Sequence, residues 1–230
     1  MVLFATIFGI ALAMRLGFWQ LDRAHQKIAL QTSLDARASE PALDASALAH
    51  TPAEAEAQQH RRVVLHGRWL AERTVFLDNR QMHARVGFYV VTPLALVPGP
   101  GVVLVQRGWA PRSFTDRAAL PRVATPAGLV TVEGTLAPSP SRLFEFADAA
   151  SGAIRQNLDI ASFAHETGLP LLPISVVQQG QDGADGLLRD WPRPAVDVQK
   201  NYGYAVQWFA IAASIAILYV WHRFIRPGKP

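Results

Sequence analysis

Two long apolar runs enclose a stretch whose apolar positions alternate. Val2 to Trp19 is apolar apart from Thr6 and Arg15. A run of about 18 to 20 helical residues, rising ~1.5 Å each, crosses a hydrocarbon layer of ~30 Å. Tyr204 to Trp221 is a second uncharged run, and Gln207 is its only strongly polar side chain. Aromatic residues bracket it, with Tyr202, Tyr204 and Trp208 at one side and Tyr219 and Trp221 at the other. That placement suits two membrane interfaces. Between the runs the period falls to two. RVVLHGRWL (62–70), RTVFLDN (73–79), VGFYVVTPLAL (86–96), GVVLVQRGWAP (101–111), GLVTVEGTLA (128–137) and LLPISVVQQ (171–179) read as strands. DIASFAHETG (159–168) reads as a short helix that Asp159 caps and Gly168 ends.

The expected fold class is α+β, with an antiparallel, β-rich extramembrane domain inserted between two transmembrane helices. The segments run as a first membrane helix over 1–20, a helical or loose connector over 21–60, a domain over 61–200, a second membrane helix over 203–222 and a basic tail over 223–230. The connector should break at Pro41 and Pro52, with a loose, variable stretch at about 38–58. The Pro-rich DWPRPAVD (190–197) leads back towards the second helix.

The first run ends in Arg15, Gly17, Trp19 and Gln20, with no small-x-small cleavage site and no basic residues ahead of it. That ending favours an uncleaved anchor over a leader peptide. Arg15 lies about a turn from Trp19 and can snorkel to the headgroups. Ala5, Gly9, Ala13 and Gly17 recur every fourth residue, and Ala212 and Ala216 do so in the second run, a spacing that lets helices approach closely. His222, Arg223, Arg226 and Lys229 follow the second run and point to the cytoplasm. Arg15, Arg23 and Lys27 argue weakly the other way. The expectation is a bacterial inner membrane with two spans, both termini cytoplasmic and the central domain periplasmic.

Composition narrows the function by exclusion. The chain has no cysteine, which excludes disulfides, thiolate zinc sites, iron–sulfur clusters and covalent c-type haem. Three methionines are too few for a copper carrier. The 22 basic and 18 acidic residues form no basic block, which argues against nucleic acid. No nucleophile elbow, phosphate loop, zincin motif or dinucleotide fingerprint occurs. Seven histidines are scattered without metal spacing, and Glu145, Asp148 and Asp159 form no defined carboxylate pair. No catalytic residue and no metal site are expected, and the protein is not read as an enzyme. Arginine does punctuate the strands, as Arg80, as Arg107-Gly108-Trp109, and as Arg155-Gln156-Asn157. These residues suit either clamps on backbone carbonyls or a docking surface, where Arg and Trp are enriched.

Four blocks follow one another along the chain: Leu16-Gly17-Phe18-Trp19-Gln20 with Arg23 and Lys27, the strand from Gly87 to Leu94, the block from Val103 to Pro111, and Tyr204-Ala205-Val206-Gln207-Trp208-Phe209. Together and in this order they resemble the Surfeit locus protein 1 family. The resemblance implies an assembly factor for haem–copper terminal oxidases, cytochrome c oxidase above all, that assists haem a insertion into the catalytic subunit. The alternative it leaves is a scaffold that holds oxidase subunits without binding haem. It implies as partners the oxidase catalytic subunit, the membrane and the haem a synthesis enzymes, with haem a held transiently. Asn201, Tyr204, Arg15 and Arg23 are the expected haem residues. Trp19, Gln20, Arg107, Gly108, Trp109, Gln207 and Trp208 are expected to meet the partner. The family commonly carries a histidine three residues before the Tyr of the second-span motif, proposed as a haem ligand; Asn201 stands there in this chain. Asparagine is a poor iron ligand.

Overall fold

The structure is a computed structural model that describes residues 1–113, 119–140, 152–180, 185–191 and 198–226. Glu145, Asp148, Lys229 and most of the stretch 190–197 lie outside the described residues. The chain separates into two compact units, one of residues 1–35 with 194–230 and one of residues 36–193. In chain order the elements are α1 (Val2–Ser39), α2 (Pro52–Ala57), β1 (Arg62–Trp69), β2 (Val75–Met82), β3 (Arg85–Leu96), β4 (Val102–Pro111), β5 (Val130–Ala137), β6 (Ile154–Arg155), α3 (Ile160–Thr167), β7 (Leu171–Gln178) and α4 (Val198–Val220).

The first unit is helical. α1 runs through residue 20 without a break to Ser39, so the first part of the helical or loose connector expected over 21–60 is helix. Residues 20–39 hold no Pro or Gly and are rich in Ala, Leu and Gln, which all favour helix. α4 ends in a widened π turn over Trp221–Ile225. Both helices are long and apolar enough to cross a membrane.

The second unit is a seven-stranded sheet in the order β1-β5-β7-β4-β3-β2-β6, and a further pairing of β1 with β3 closes five of the strands into a barrel. The twelve-residue β3 makes this possible. Its first half pairs with β2, from Met82↔Arg85 to Val75↔Val91. Its last residues pair with β1, from Trp69↔Leu94 to Gly67↔Leu96. Most pairs are antiparallel, as expected, but β4–β7 and β2–β6 run parallel. Parallel neighbours cannot be joined by a tight hairpin, and here several elements intervene in the chain between each pair.

All five barrel strands feed one core. Leu65, Leu94, Val103, Val132, Leu136, Ile174 and Val176 meet in it. On another face of the sheet, Val75, Leu77, Val91 and Leu104 pack against Ile160 and Phe163 of α3. Asp159 caps α3 by accepting from the Ser162 amide at 2.9 Å, and Gly168 ends it in the left-handed conformation at φ 69°, both as read from the sequence.

The stretch 38–58 is ordered, where a loose segment was expected. Thr51 and Glu54 form a reciprocal capping box at the start of α2, and Asp44 caps a single helical turn over Ala45–Ala47. Leu48, Ala49 and Ala55 from this stretch are buried in the barrel core. That apolar burial holds the segment in place.

Arg155 of β6 ties α3 to the sheet. Its guanidinium donates two bonds of 2.6 Å to the Glu166 carboxylate and a third, of 2.7 Å, to the Gly152 carbonyl. The hydrogen bonds from Arg155 hold the Glu166 carboxyl below its ordinary value. A carboxylate depressed in the fold stabilises it fully above its unfolded value, and that stabilisation is lost as pH falls through the folded value. Glu166→Gln is therefore expected to lower the melting temperature at neutral pH. The gap to wild type should shrink in acid until the two coincide, as thermal scans across the acid range would record. A gap independent of pH would remove the ion pair as its cause.

Candidate functional site

α1 and α4 pack antiparallel. Gly9 lies beside Ile215, Gly17 beside Phe209, and Gln20 bonds to Asn201, so positions rise along one helix as they fall along the other. The buried residues of the pair are Ala13, Gly17 and Ala24 on α1 and Ala205 and Ala212 on α4, all small. Three members of the four-residue stripe thus face α4, while Ala5 is exposed. Gly17 is required by contact, because a Cβ there would sit 2.5 Å from the Phe209 ring. The same ring takes Phe18 edge-on at 5.3 Å.

At one end the small residues give way to a polar clasp. Asn201 accepts from the Lys27 ammonium at 2.7 Å and donates to the Gln20 carbonyl oxygen, also at 2.7 Å. Beside the clasp is a cleft of about 560 Å³. Trp19, Gln20, Arg23, Gln26, Lys27 and Leu30 line it from α1, and Lys200, Asn201 and Tyr204 from α4. The α1 positions recur at helical spacing, which puts them on one face. Arg23 stands 6.0 Å over the Trp19 ring and donates to Gln26. Three cationic side chains line the cleft, and none of the described residues that line it is acidic. The arrangement suits an anion carried on an apolar body, with cations for its charge and Trp19, Leu30 and Tyr204 for its surface.

The structure thus brings together Arg23, Asn201, Tyr204, Trp19 and Gln20 from the expected set. Arg15 lies apart, in a groove of about 700 Å³ with Leu16, Phe18, Trp19 and Asp22. Lys27 and Lys200 complete the cleft and were not among the expected site residues. The run of Trp19, Arg23, Lys27 and Leu30 along one helical face was the signal that could have found Lys27, and no such run marks Lys200 on α4. Gln207 is exposed on α4, and Trp208 is half-buried.

Arg107, Gly108 and Trp109, expected at a docking surface, are buried. Arg107 is 2% exposed and Trp109 1%. The Arg107 guanidinium stacks 4.7 Å from the Trp69 ring and donates to the Thr125 hydroxyl at 2.7 Å and to the Ala124 carbonyl at 2.8 Å. Burial pulls it below its ordinary value, against the pull of Asp185. The Trp109 indole donates to the Arg80 carbonyl, and the backbone of Gly108 packs against Leu187 and Leu188. Arg80 and Arg155 also donate to carbonyls, those of Gln156 and Gly152. These arginines act as clamps that satisfy loop carbonyls at the ends of strands.

No group of three or more His, Asp or Glu that could hold a metal occurs among the described residues. The fold and the cleft define a class: a β-barrel domain carried in sequence between two helices fit to cross a membrane, with a cation-lined cleft where those helices pack. The model of the SURF1 family matches residues 7–213. A SURF1-like protein of Rickettsia conorii is 24% identical over 213 residues, covering 90% of this chain and 85% of its own length. A SURF1-like protein of Rickettsia felis is also 24% identical over 213 residues, covering 90% of each chain. Surfeit locus protein 1 of Arabidopsis thaliana is 23% identical over 214 residues, with 87% of this chain but 54% of its own length covered. The chain belongs to the SURF1 family.

The clasp carries a prediction. Asn201→Leu leaves the Gln20 carbonyl oxygen and the Lys27 ammonium without their partner, at a cost of about 1–2 kcal/mol in the helix pair. Unfolding of the detergent-solubilised chain by denaturing detergent, followed by helical signal, would measure the loss. An unchanged midpoint would show that the clasp contributes nothing to packing.

Proposed function

We propose that the protein is a non-enzymatic assembly factor for a haem–copper terminal oxidase, anchored in the bacterial inner membrane by α1 and α4. Its termini lie in the cytoplasm and its barrel domain in the periplasm. It assists insertion of haem a into the oxidase catalytic subunit and works beside the haem a synthesis enzymes. The observation that carries this reading is the cleft, in a chain of this family. Haem is an apolar ring with two carboxylates, and Arg23, Lys27 and Lys200 supply cations beside an aromatic surface. The fit to the iron is poorer. Both amide atoms of Asn201 are engaged by Lys27 and Gln20. Tyr204 alone among the described lining residues belongs to the types that hold haem iron. The cleft therefore suits the acid groups of the cargo better than its metal.

The engaged Asn201 also favours a second reading, a scaffold that holds oxidase subunits without haem. Both readings need a face for the client. Gly203, Gln207, Ala210 and Ser214 are exposed on α4 and fall on one face, opposite the buried Ala205 and Ala212. Small residues with an amide and a hydroxyl suit a close-packed partner helix.

Deleting the protein should leave the oxidase catalytic subunit depleted of haem a, as pyridine haemochrome spectra of purified oxidase would record. A fully haem-loaded, active oxidase in the deletion strain would sink both readings. Haem a at normal stoichiometry with dissociated subunits would select the scaffold. Gln207→Leu should weaken recovery of the catalytic subunit with the tagged protein several-fold at unchanged abundance, because an amide at a packed helix interface contributes about 1 kcal/mol. Undiminished recovery would remove Gln207 from the docking face.

A further inference from the structure

The barrel domain holds a second cleft, of about 340 Å³, where the end of β1, the start of β5 and the end of β7 meet. Trp69, Val130 and Pro126 give it apolar walls, and Arg107, Arg189, Asp185, Gln178, Gln179 and Thr131 line it with polar groups. Most of its polar inventory is committed. The terminal nitrogens of Arg107 are held by Thr125, Ala124 and Asp185, and the Thr131 hydroxyl bonds to His66 Nδ1 at 3.0 Å. Some lining groups differ. The Arg107 Nε–H and the Gln178 side-chain oxygen are buried and have no hydrogen-bond partner among the described residues. Arg107 itself is 2% exposed.

Orphans of this kind are costly, since a buried donor or acceptor left unmade forfeits its bond to water. The donor here belongs to a cation. Asp185, the carboxylate paired with it among the described residues, is 3.3 Å from Arg107 and also takes a hydrogen bond from Arg189. A charge so loosely matched in a desolvated site favours an anionic acceptor. The Gln178 acceptor calls for an N–H, and its own amide hydrogens can return a bond to a carbonyl, so a peptide unit pairs with it in both directions. The guanidinium stacked on Trp69 fixes where the anion sits, and the apolar walls suit the carbon skeleton between anion and amide.

We propose that this cleft binds a carboxylate borne next to an acylated amide nitrogen, with the carboxylate on Arg107 Nε–H and the amide on Gln178. That chemistry belongs to the C-terminal unit of a polypeptide and equally to a free N-acyl amino acid. The site is independent of the helix pair and of the haem reading.

The full-length protein in lipid nanodiscs, labelled with 5-fluorotryptophan, tests the proposal. Trp69→Phe identifies the Trp69 resonance among those of the six tryptophans. Titration with N-acetylglycine should shift that resonance saturably, and acetate or N-acetylglycinamide should bind at least about tenfold more weakly, as expected for one lost bond of ~1.4 kcal/mol. Gln178→Leu removes a side-chain amide whose oxygen has no partner among the described residues, and should weaken N-acetylglycine by a similar factor while the other tryptophan resonances stay in place. Gln178→Glu puts a carboxylate beside Arg107 and should weaken it further. Tighter binding of acetyl-triglycine than of N-acetylglycine assigns the site to a chain terminus, and equal binding assigns it to a small acyl amino acid. The proposal is overturned by a Trp69 resonance that does not move, by equal affinity for acid and amide, by acetate binding as well as N-acetylglycine, or by Gln178 variants that bind like wild type.

Discussion

One close approach closes the barrel, and the rest of the domain depends on it. Where β1 reaches β3, a Cβ on Gly67 would lie 2.4 Å from the Ala95 carbonyl oxygen. Only glycine lets the strands meet there and complete the ring of five. The same transfer explains Pro93, which stands inside a buried strand where proline usually disrupts a ladder. The pairing with β2 ends at Val91 and the pairing with β1 begins at Leu94, so Pro93 falls in the gap between partners. Its carbonyl accepts from the Leu70 amide. In a strand the nitrogen of a residue points to the same side as its carbonyl, so the donor that Pro93 lacks is one the gap does not use. Thr92 fills the rest of the gap, its buried hydroxyl 3.0 Å from that of Thr74.

Closure also sets the demand on the barrel ends. A ring of strands satisfies its own backbone, but the loops that cap it carry carbonyls out of water. Arg80, Arg107 and Arg155, all at or near full burial, donate to such carbonyls. Each clamp then needs support of its own. Arg107 rests on the Trp69 ring, Arg80 lies 5.7 Å from the Tyr89 ring, and Arg155 stacks over Phe163 and pairs with Glu166. Aromatic faces supply part of what water would have given these cations.

The elements were legible in the sequence because each has a local cause. Strand alternation, the Asp159 cap, the Gly168 terminus and the two apolar runs were readable from a few neighbouring residues. Strand order was not. Nothing local shows that β4 lies beside β7 or that β3 changes partner midway, since both follow from how the whole core closes. The capping box at Thr51 and Glu54 was present in the sequence but hidden in an Ala-rich stretch whose burial only the barrel supplies. Arg107 and Trp109 failed for another reason. The residue types that dominate docking surfaces also make the best buried clamps, and identity alone does not separate them. The unbroken apolar run ahead of them, VVLV, was the sign that this strand is covered on both faces.

The arginines that remain are the informative ones. In the barrel domain a cation that is buried is held by carbonyls or by a carboxylate, and so is part of the fold. In the helix pair the same reasoning selects the opposite group. Among the described residues Arg23 bonds to Gln26 on its own helix and leans on Trp19, and none of those lining the cleft it faces is acidic. Lys27 reaches across to Asn201 as well as facing that cleft, so one cation both joins the helices and charges the site. An anion entering there would compete with Asn201 for Lys27. The clasp that packs the helices and the cleft proposed to hold cargo are thus coupled through a single ammonium group, and occupancy of the cleft bears on how tightly this end of the pair is held.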